Sequence, residues 1–343
     1  MTTAHDHPLT DIHAHFVPRT FPARLGGDPS PISMQRGCGC GKADIFFDGA
    51  KFRTVTDECW NVERRLEAMT RIGIGRQLVS PMPELLSYWR PAAAGAAICA
   101  HVNDALAEMV GCAPRHLSAL GIVPLQDPDL AVRMLEELMA DPRFVGVEIG
   151  TNIDGTPLGD PRFASFFAAA ERLDCAVFVH PVRLVKGYPL PPVRPMAALA
   201  GFPCETALAG LSLIGSGVLS RHPRLRIALS HGGGVLGLLL ARLDNGWDTM
   251  AEMREAFAER PSVSARRLYC DSLVYDAEIL QFLIRKFGAD RICIGTDRPF
   301  AVAEPDPLGR INALDLRPEK RRLLLSENAA RFAPVRIPNF SGN

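Results

Sequence analysis

The chain has 343 residues, of which 47% are hydrophobic and 22% charged, an ordinary composition for a globular protein. Its 38 Lys and Arg residues balance its 38 Asp and Glu residues, and the resulting net charge of zero argues against a nucleic-acid-binding or membrane-surface protein. The sequence shows no N-terminal signal pattern and no run of the roughly 20 apolar residues that spans a bilayer, so we expect no membrane partner.

Short apolar runs alternate with amphipathic stretches along the chain. The runs predict eight strands, at residues 9–13, 77–80, 117–125, 144–149, 176–180, 227–230, 268–272 and 292–295. The stretches predict helices at residues 62–71, 100–109, 130–139, 163–173, 235–243 and 277–286. This alternation is typical of an α/β protein with a parallel sheet covered by helices. Eight repeats favour a (β/α)8 TIM barrel, a single domain over residues 1–343, rather than an open doubly wound sheet.

Two segments interrupt the alternation. Residues 22–51, rich in Gly, Pro and polar residues, predict a small N-terminal insertion over the barrel mouth. Residues 188–203 are rich in Pro and Ala and follow the fifth predicted strand. We expect both segments to lie at the C-terminal end of the barrel strands, the end at which barrels have their active sites. Within the insertion, Cys38-Gly39-Cys40 has the wrong spacing for a zinc ribbon or a thioredoxin site and is interpreted as an ordinary loop pair.

Polar side chains stand at the ends of three of the predicted strands. His13 and His15 end the first strand, His180 ends the fifth, and Asp297 follows the eighth. A His-x-His pair puts both rings on one face of a strand, because strand side chains alternate. Three imidazoles and one carboxylate suit a divalent metal, zinc above all, and leave room for a water whose pKa the metal lowers. The alternatives are structural histidines and, for Asp297, a helix cap.

His231 ends the sixth predicted strand and is followed by three glycines and a helix. We interpret it as a general base beside the metal that deprotonates the bound water. A fifth metal ligand or a structural residue is the alternative. The fourth strand, around Glu148, has no Lys that could be carbamylated to bridge two metals, which favours a single ion, although Glu148 itself could bridge.

The His-x-His, His-Pro, His-Gly-Gly-Gly and Gly-Thr-Asp-Arg-Pro-Phe segments resemble the amidohydrolase superfamily. They are most similar to its decarboxylase branch, the branch of the 2-amino-3-carboxymuconate-6-semialdehyde decarboxylases. The resemblance extends from about Asp11 to Phe332 and includes Phe52-Arg53 and Pro203-Cys204-Glu205-Thr206. It implies a barrel whose metal ligands are His13, His15, His180 and Asp297 and whose catalytic histidine is His231.

The resemblance also implies two arginines that hold substrate carboxylates, Arg53 and Arg242, the second lent by a neighbouring subunit of a dimer or larger homo-oligomer. A guanidinium suits this task because it binds a carboxylate with two hydrogen bonds. A surface ion pair is the alternative for each. The chain departs from the branch where Arg194 replaces an aromatic residue and where Arg298 follows the metal aspartate. Both arginines are candidate substrate contacts, and they favour a related but different acid.

We therefore expect a metal-dependent, non-oxidative decarboxylase of a carboxymuconate semialdehyde or a hydroxy- or amino-aromatic acid. It would use one divalent ion, Zn²⁺ or alternatively Mn²⁺, and no organic cofactor. The carbon that loses carbon dioxide could be prepared by hydroxide addition or by direct protonation from Asp297 or His231. A hydrolase or hydratase on the same barrel is the enzymatic alternative, because fold does not determine reaction. A metal-stabilised ligand-binding protein is the non-enzymatic one. The nine cysteines, an odd number, favour a reducing cytoplasm.

Overall fold

A computed structural model describes residues 8–37, 41–185, 190–193 and 195–336. Eight parallel strands form one sheet in chain order: β1 (Thr10–Phe16), β2 (Arg76–Pro81), β3 (Leu117–Gly121), β4 (Phe144–Gly150), β5 (Ala176–His180), β6 (Arg226–Leu229), β7 (Tyr269–Asp271) and β8 (Ile292–Cys293). The first and last strands meet, because the Ile12 amide donates to the Ile294 carbonyl at 2.9 Å. The predicted (β/α)8 barrel is confirmed.

Helices surround the strands. They are α1 (Val62–Arg71), α2 (Ala92–Cys112), α3 (Pro128–Ala140), α4 (Ala164–Arg172), α5 (Phe202–Gly215), α6 (Val218–Arg221), α7 (Leu236–Thr249), α8 (Ala251–Ala256), α9 (Pro261–Ala265), α10 (Ala277–Phe287), α11 (Pro307–Asn312), α12 (Pro318–Arg322) and α13 (Asn328–Phe332). Side-chain caps begin several of them: Asn61, Asp127 and Asp276 each accept a hydrogen bond from a backbone amide of the first turn of α1, α3 and α10. Such caps satisfy amides that have no partner inside the helix.

Apolar side chains divide into two cores. The outer core fills the space between strands and helices. The inner core lies inside the barrel and consists of Ile12, Leu78, Leu120, Val145, Ala176, Phe178, Ala228, Tyr269, Cys293, Ala329, Phe332 and Ala333. Three of these residues come from α13 and its C-terminal cap. The barrel is therefore packed rather than hollow, and polar groups are left for the end at which the strands finish.

The predicted insertion contains strands of its own. A hairpin pairs Arg24–Leu25 with Asp28–Pro29, and a three-stranded antiparallel sheet follows, formed by Ile32–Arg36, Lys42–Phe47 and Ala50–Thr56. The sheet therefore runs beyond residue 51, the predicted end of the insertion. The Cys38-Gly39-Cys40 motif lies outside the described residues.

Helix α5 belongs to a stretch, Ala197–Gly215, that is long and apolar enough to cross a membrane by length and composition alone. In the structure 44% of that stretch is buried within the protein. It packs against α7 and α9 in the outer ring of helices. Its apolar character is thus accounted for by packing on both the barrel and its neighbouring helices.

Candidate metal centre and active site

Four side chains converge at the end of the barrel where the strands finish. One nitrogen or oxygen atom from each of His13, His15, His180 and Asp297 lies within 4.8 Å of the others. Nε2 of His15 is 3.1 Å from Nε2 of His13 and 3.0 Å from Oδ1 of Asp297. All four residues are buried, with no more than 4% of any residue exposed. The structure thus brings together the four residues predicted as metal ligands.

In each of the three histidines, Nδ1 faces a hydrogen-bond acceptor on the side of the ring away from the four converging atoms. Nδ1 lies 2.7 Å from Asp271 Oδ2 in His13, 3.3 Å from the Pro81 carbonyl in His15 and 2.7 Å from the Pro181 carbonyl in His180. With a proton on each Nδ1, the three Nε2 atoms present lone pairs to one another.

Two of the converging atoms, Nε2 of His180 and Oδ1 of Asp297, are buried and lack a hydrogen-bond partner among the described residues. A buried polar atom left in this way costs about 1–3 kcal/mol. A divalent cation would satisfy both atoms, and imidazole and carboxylate donors are ligands that zinc and similar metals accept. The donor set therefore fits a metal ion.

Asp271, which ends β7, organises the site and was missed by the sequence analysis. Its Oδ2 accepts hydrogen bonds from His13 Nδ1 at 2.7 Å and from the His231 amide at 2.9 Å, while Oδ1 accepts from the Gly232 amide at 2.7 Å. Burial alone would lower the pKa of His13, but the hydrogen bond to Asp271, together with the charges of Asp297, Asp271 and Asp11, raises it to about 9. The signal that could have found Asp271 was its place at the end of a strand, the same signal that marked the ligands.

His231 lies beside the cluster on a strained turn. Its ring centroid is 5.4 Å from that of His13 and 5.1 Å from that of His180. Its φ angle is 54°, and the three glycines that follow also have positive φ. Burial, with the nearby His13, lowers the pKa of His231 to about 4, so the ring is neutral at pH 7. A neutral imidazole at this distance can accept a proton from a group bound between the rings.

A buried polar network holds β1 against the segment after β8. Asp11 accepts hydrogen bonds from the His13 and Thr296 amides at 3.0 and 3.1 Å, and from the Thr296 hydroxyl at 2.6 Å. Gln77 donates to Asp11 at 2.9 Å and accepts from the fully buried Arg65 at 3.0 Å. Because His13 and Asp297 flank these contacts, the network sets the spacing of ligands that are far apart in the chain.

Arg53, on the last strand of the insertion sheet, lies next to the cluster. Its guanidinium carbon is 4.4 Å from the ring centroid of Phe300, and that ring stacks on His15 at 4.8 Å. Its Nη2 is 3.4 Å from Oε1 of Glu84, a residue that sequence reasoning missed. Burial raises the pKa of Glu84, and the charge of Arg53 opposes that rise.

The other predicted substrate arginines are placed differently. Arg298 makes two hydrogen bonds of 3.0 Å to the carboxylate of Glu58, so it already has a partner within the chain. Arg242 is exposed on α7 and has no hydrogen bond or ion pair with any residue of the described part of the chain. Arg194 lies outside the described residues. The structure thus brings Arg53 to the cluster and gives Arg298 an internal role, while substrate contacts by all these arginines stay predictions.

Residues 10–334 match the family described as Amidohydrolase. The chain belongs to this family. The 2-amino-3-carboxymuconate-6-semialdehyde decarboxylase of Dictyostelium discoideum is 30% identical over 326 residues, which are 94% of this chain and 90% of the relative. The gamma-resorcylate decarboxylase of Rhodococcus jostii is 30% identical over 259 residues, covering 64% of this chain and 76% of the relative. The predicted resemblance to the decarboxylase branch is confirmed.

Solved structures agree on the fold. The apo form of Metarhizium anisopliae IDCase superposes with a TM-score of 0.80 at 20% identity and covers 95% of this chain and 97% of its own. Two decarboxylases of the same fold were solved with bound manganese. Together with the His and Asp cluster, the relatives identify this amidohydrolase as an enzyme, a metal-dependent carboxy-lyase.

Proposed function

We propose that this amidohydrolase removes carbon dioxide, without oxidation, from a small hydroxy- or amino-aromatic acid or from a carboxymuconate semialdehyde. One observation carries the proposal: four buried nitrogen and oxygen atoms, all of types that bind metals, lie within 4.8 Å of one another. Beside them stands Arg53, stacked through Phe300 on the ligand His15. A metal site and a guanidinium on the same wall suit a substrate that carries a carboxylate next to a second oxygen or nitrogen.

His13, His15, His180 and Asp297 would hold the metal, which supplies a Lewis acid for a substrate or water oxygen. Arg53 binds the substrate carboxylate with N–H groups that Glu84 leaves free, since a guanidinium has five. Arg298, Arg194 and a partner subunit's copy of Arg242 are further candidates for contacts with the acid. In this arrangement the carboxylate that leaves lies against the Arg53 guanidinium, and the rest of the substrate faces the histidines.

Proton transfer falls to His231. Its Nδ1 lies 3.1 Å from the Ser230 hydroxyl, so Nε2 is the atom that exchanges a proton with the substrate or with water. In the reaction the bond between the substrate carbon and its carboxylate breaks, and the electron pair stays on that carbon. His231 first accepts a proton from the substrate or from water and then gives it to that carbon, where it replaces the carboxylate that leaves as carbon dioxide. Asp297, once it has accepted a proton in the same way, is the alternative donor. No oxidant or reductant takes part in this balance.

Finer assignments complete the proposal. We propose one Zn²⁺ per chain, with Mn²⁺ as the alternative, because imidazole and carboxylate donors accept both ions. We also propose a cytoplasmic homodimer or larger homo-oligomer in which each chain is a single barrel domain. The described cysteines are all unbonded, which suits a reducing compartment. The exposed Arg242, unpartnered among the described residues, is free to reach a neighbouring subunit.

The proposal is tested by offering the metal-loaded enzyme a panel of hydroxybenzoic, aminobenzoic and carboxymuconate semialdehyde substrates and measuring carbon dioxide release. We expect at least one acid to give one carbon dioxide per product, with Arg53→Lys losing activity because Lys cannot form two parallel hydrogen bonds. Hydrolysis of lactones or amides by the same preparation, with no carbon dioxide from any acid, would contradict decarboxylation.

A further inference from the structure

Glu148, on β4, is an acid that the proposed mechanism does not use. It is fully buried, and neither carboxylate oxygen has a hydrogen-bond partner among the described residues. Its Oε2 lies 3.9 Å from Nδ1 of His15, the ring nitrogen that points away from the other ligands. A buried acid without a partner destabilises a fold, so its presence next to a metal ligand calls for a compensating role.

A bulge in β4 aims Glu148 into the barrel. Ala119 of β3 pairs with Phe144 and Leu120 pairs with Gly146, which leaves Val145 as an extra residue on β4. Val145 packs in the inner core, whereas Val147 packs in the outer core, so the alternation of side chains shifts by one at Gly146. Without that shift Glu148 would face the helices.

Gly146 allows β5 to approach β4 closely at the bulge. A Cβ atom there would lie 2.0 Å from the carbonyl oxygen of Ala176 on the neighbouring strand β5, and that backbone atom cannot move aside cheaply. The strand therefore carries a local distortion whose consequence is to put one carboxyl group behind His15. Bulges commonly re-aim a side chain next to an active site.

The three ligand histidines differ in how firmly they are held. His13 and His180 each have a partner 2.7 Å from Nδ1, and for His13 that partner is the carboxylate of Asp271. Nδ1 of His15 has only longer contacts, 3.3 Å to the Pro81 carbonyl and 3.4 Å to the Ser80 hydroxyl. Glu148 thus lies behind the ligand histidine whose Nδ1 has no short hydrogen bond among the described residues.

We propose that Glu148 is the positioning residue of His15, orienting its ring and strengthening it as a metal ligand as Asp271 does for His13. The inference rests on the metal site of the proposed function. Carboxylate partners of ligand histidines increase ligand basicity, and their loss weakens metal binding by about 10- to 100-fold. Glu148 would therefore set metal affinity and would not touch the substrate.

The test compares wild type with Glu148→Gln, which keeps the shape and removes the acid. We expect Zn²⁺ affinity, measured by chelator competition, to fall by about 10-fold or more. The melting temperature of the metal-free variant should equal or exceed that of wild type, because an unpartnered buried acid has been removed. A residue that only supported the fold would show the reverse pattern, lower metal-free stability with unchanged affinity.

Glu205→Gln is the matched control. Glu205 is also buried, but it accepts hydrogen bonds from Asn152 and the Val185 amide at 3.0 Å rather than facing a ligand. We expect this control to lose stability and keep its Zn²⁺ affinity. Glu148→Gln binding Zn²⁺ within about twofold of a wild type that binds it tightly would overturn the role of Glu148 alone. A wild type that binds no divalent metal would instead overturn the proposed function.

Discussion

Asp271 joins two parts of the site that are far apart in the chain. Its carboxylate contacts His13, 258 residues earlier, and the amide of His231, 40 residues earlier. The same carboxylate therefore orients a metal ligand and positions the turn that carries the proposed base. Asp271→Asn keeps the size of the side chain but loses the charge. We expect metal affinity to fall about 10- to 100-fold, as measured by chelator competition, and Zn²⁺ affinity equal to that of wild type would contradict the assignment.

His231 is expected to act on protons and not on the metal. His231→Ala should retain one metal ion per chain, since the four ligand atoms lie on other residues. Its turnover number should fall by about 10²- to 10⁴-fold, because a positioned acid or base contributes that much. Metal analysis and steady-state kinetics on the same sample separate the two effects. Unchanged turnover with full metal content would remove His231 from the mechanism.

At the level of single residues, the sequence identifies functional side chains whose type and immediate sequence neighbours are sufficient to mark them. His13, His15, His180 and Asp297 could be predicted because each is a metal-binding type at the end of an apolar run. Asp271 ends a strand in the same way but was overlooked, because one carboxylate without histidines beside it has many ordinary roles. Glu84 was not predicted, and Glu148 was considered only as a possible bridging ligand, since the contacts of both depend on neighbours that only the folded barrel brings close.

Among the structural elements, the turn between β6 and α7 determines the position of His231, because His231 is part of that turn. A Cβ on Gly234 would lie 1.8 Å from the Pro203 carbonyl oxygen, so this turn and the start of α5 touch through backbone alone. Gly234→Ala should lower the free energy of unfolding by several kcal/mol and reduce activity. Gly155→Ala is the control: its φ is also positive, at 88°, but nothing lies within 4 Å, and we expect a cost of about 1 kcal/mol. Equal melting temperatures for the two variants would contradict the predicted backbone contact.

The sequence predicted element types better than element limits. The helix expected at residues 100–109 spans Ala92–Cys112, because an alanine-rich run forms a helix without an amphipathic pattern. Helix α5 was not predicted, since its uniformly apolar sequence shows no period that distinguishes helix from strand. The insertion strands were missed because Gly, Pro and polar residues obscure the alternation of a sheet. These errors concern helices and the insertion rather than the ends of the barrel strands. The prediction of the metal ligands, which stand at those strand ends, therefore did not depend on them.

For the whole molecule, we expect two chains to build each active site together. If Arg242 of one chain completes the site of its neighbour, Arg53→Ala and Arg242→Ala are each inactive, yet a mixed dimer has one intact site. Dissociating and remixing the two variants in equal amounts should restore about a quarter of wild-type activity, since about half of the dimers are mixed and each has one working site. Persistent inactivity of a mixture shown to exchange subunits would assign Arg242 to another role.

The central claim is that one metal ion at the end of this barrel drives loss of carbon dioxide. The most direct measurement strips the protein with a chelator, adds back Zn²⁺ or Mn²⁺ in steps, and records carbon dioxide release from an acid that the loaded enzyme consumes. We expect no release from the metal-free protein and a linear gain that reaches its plateau at one ion per chain. Full carbon dioxide release by metal-free protein, or a plateau at two ions per chain, would contradict it.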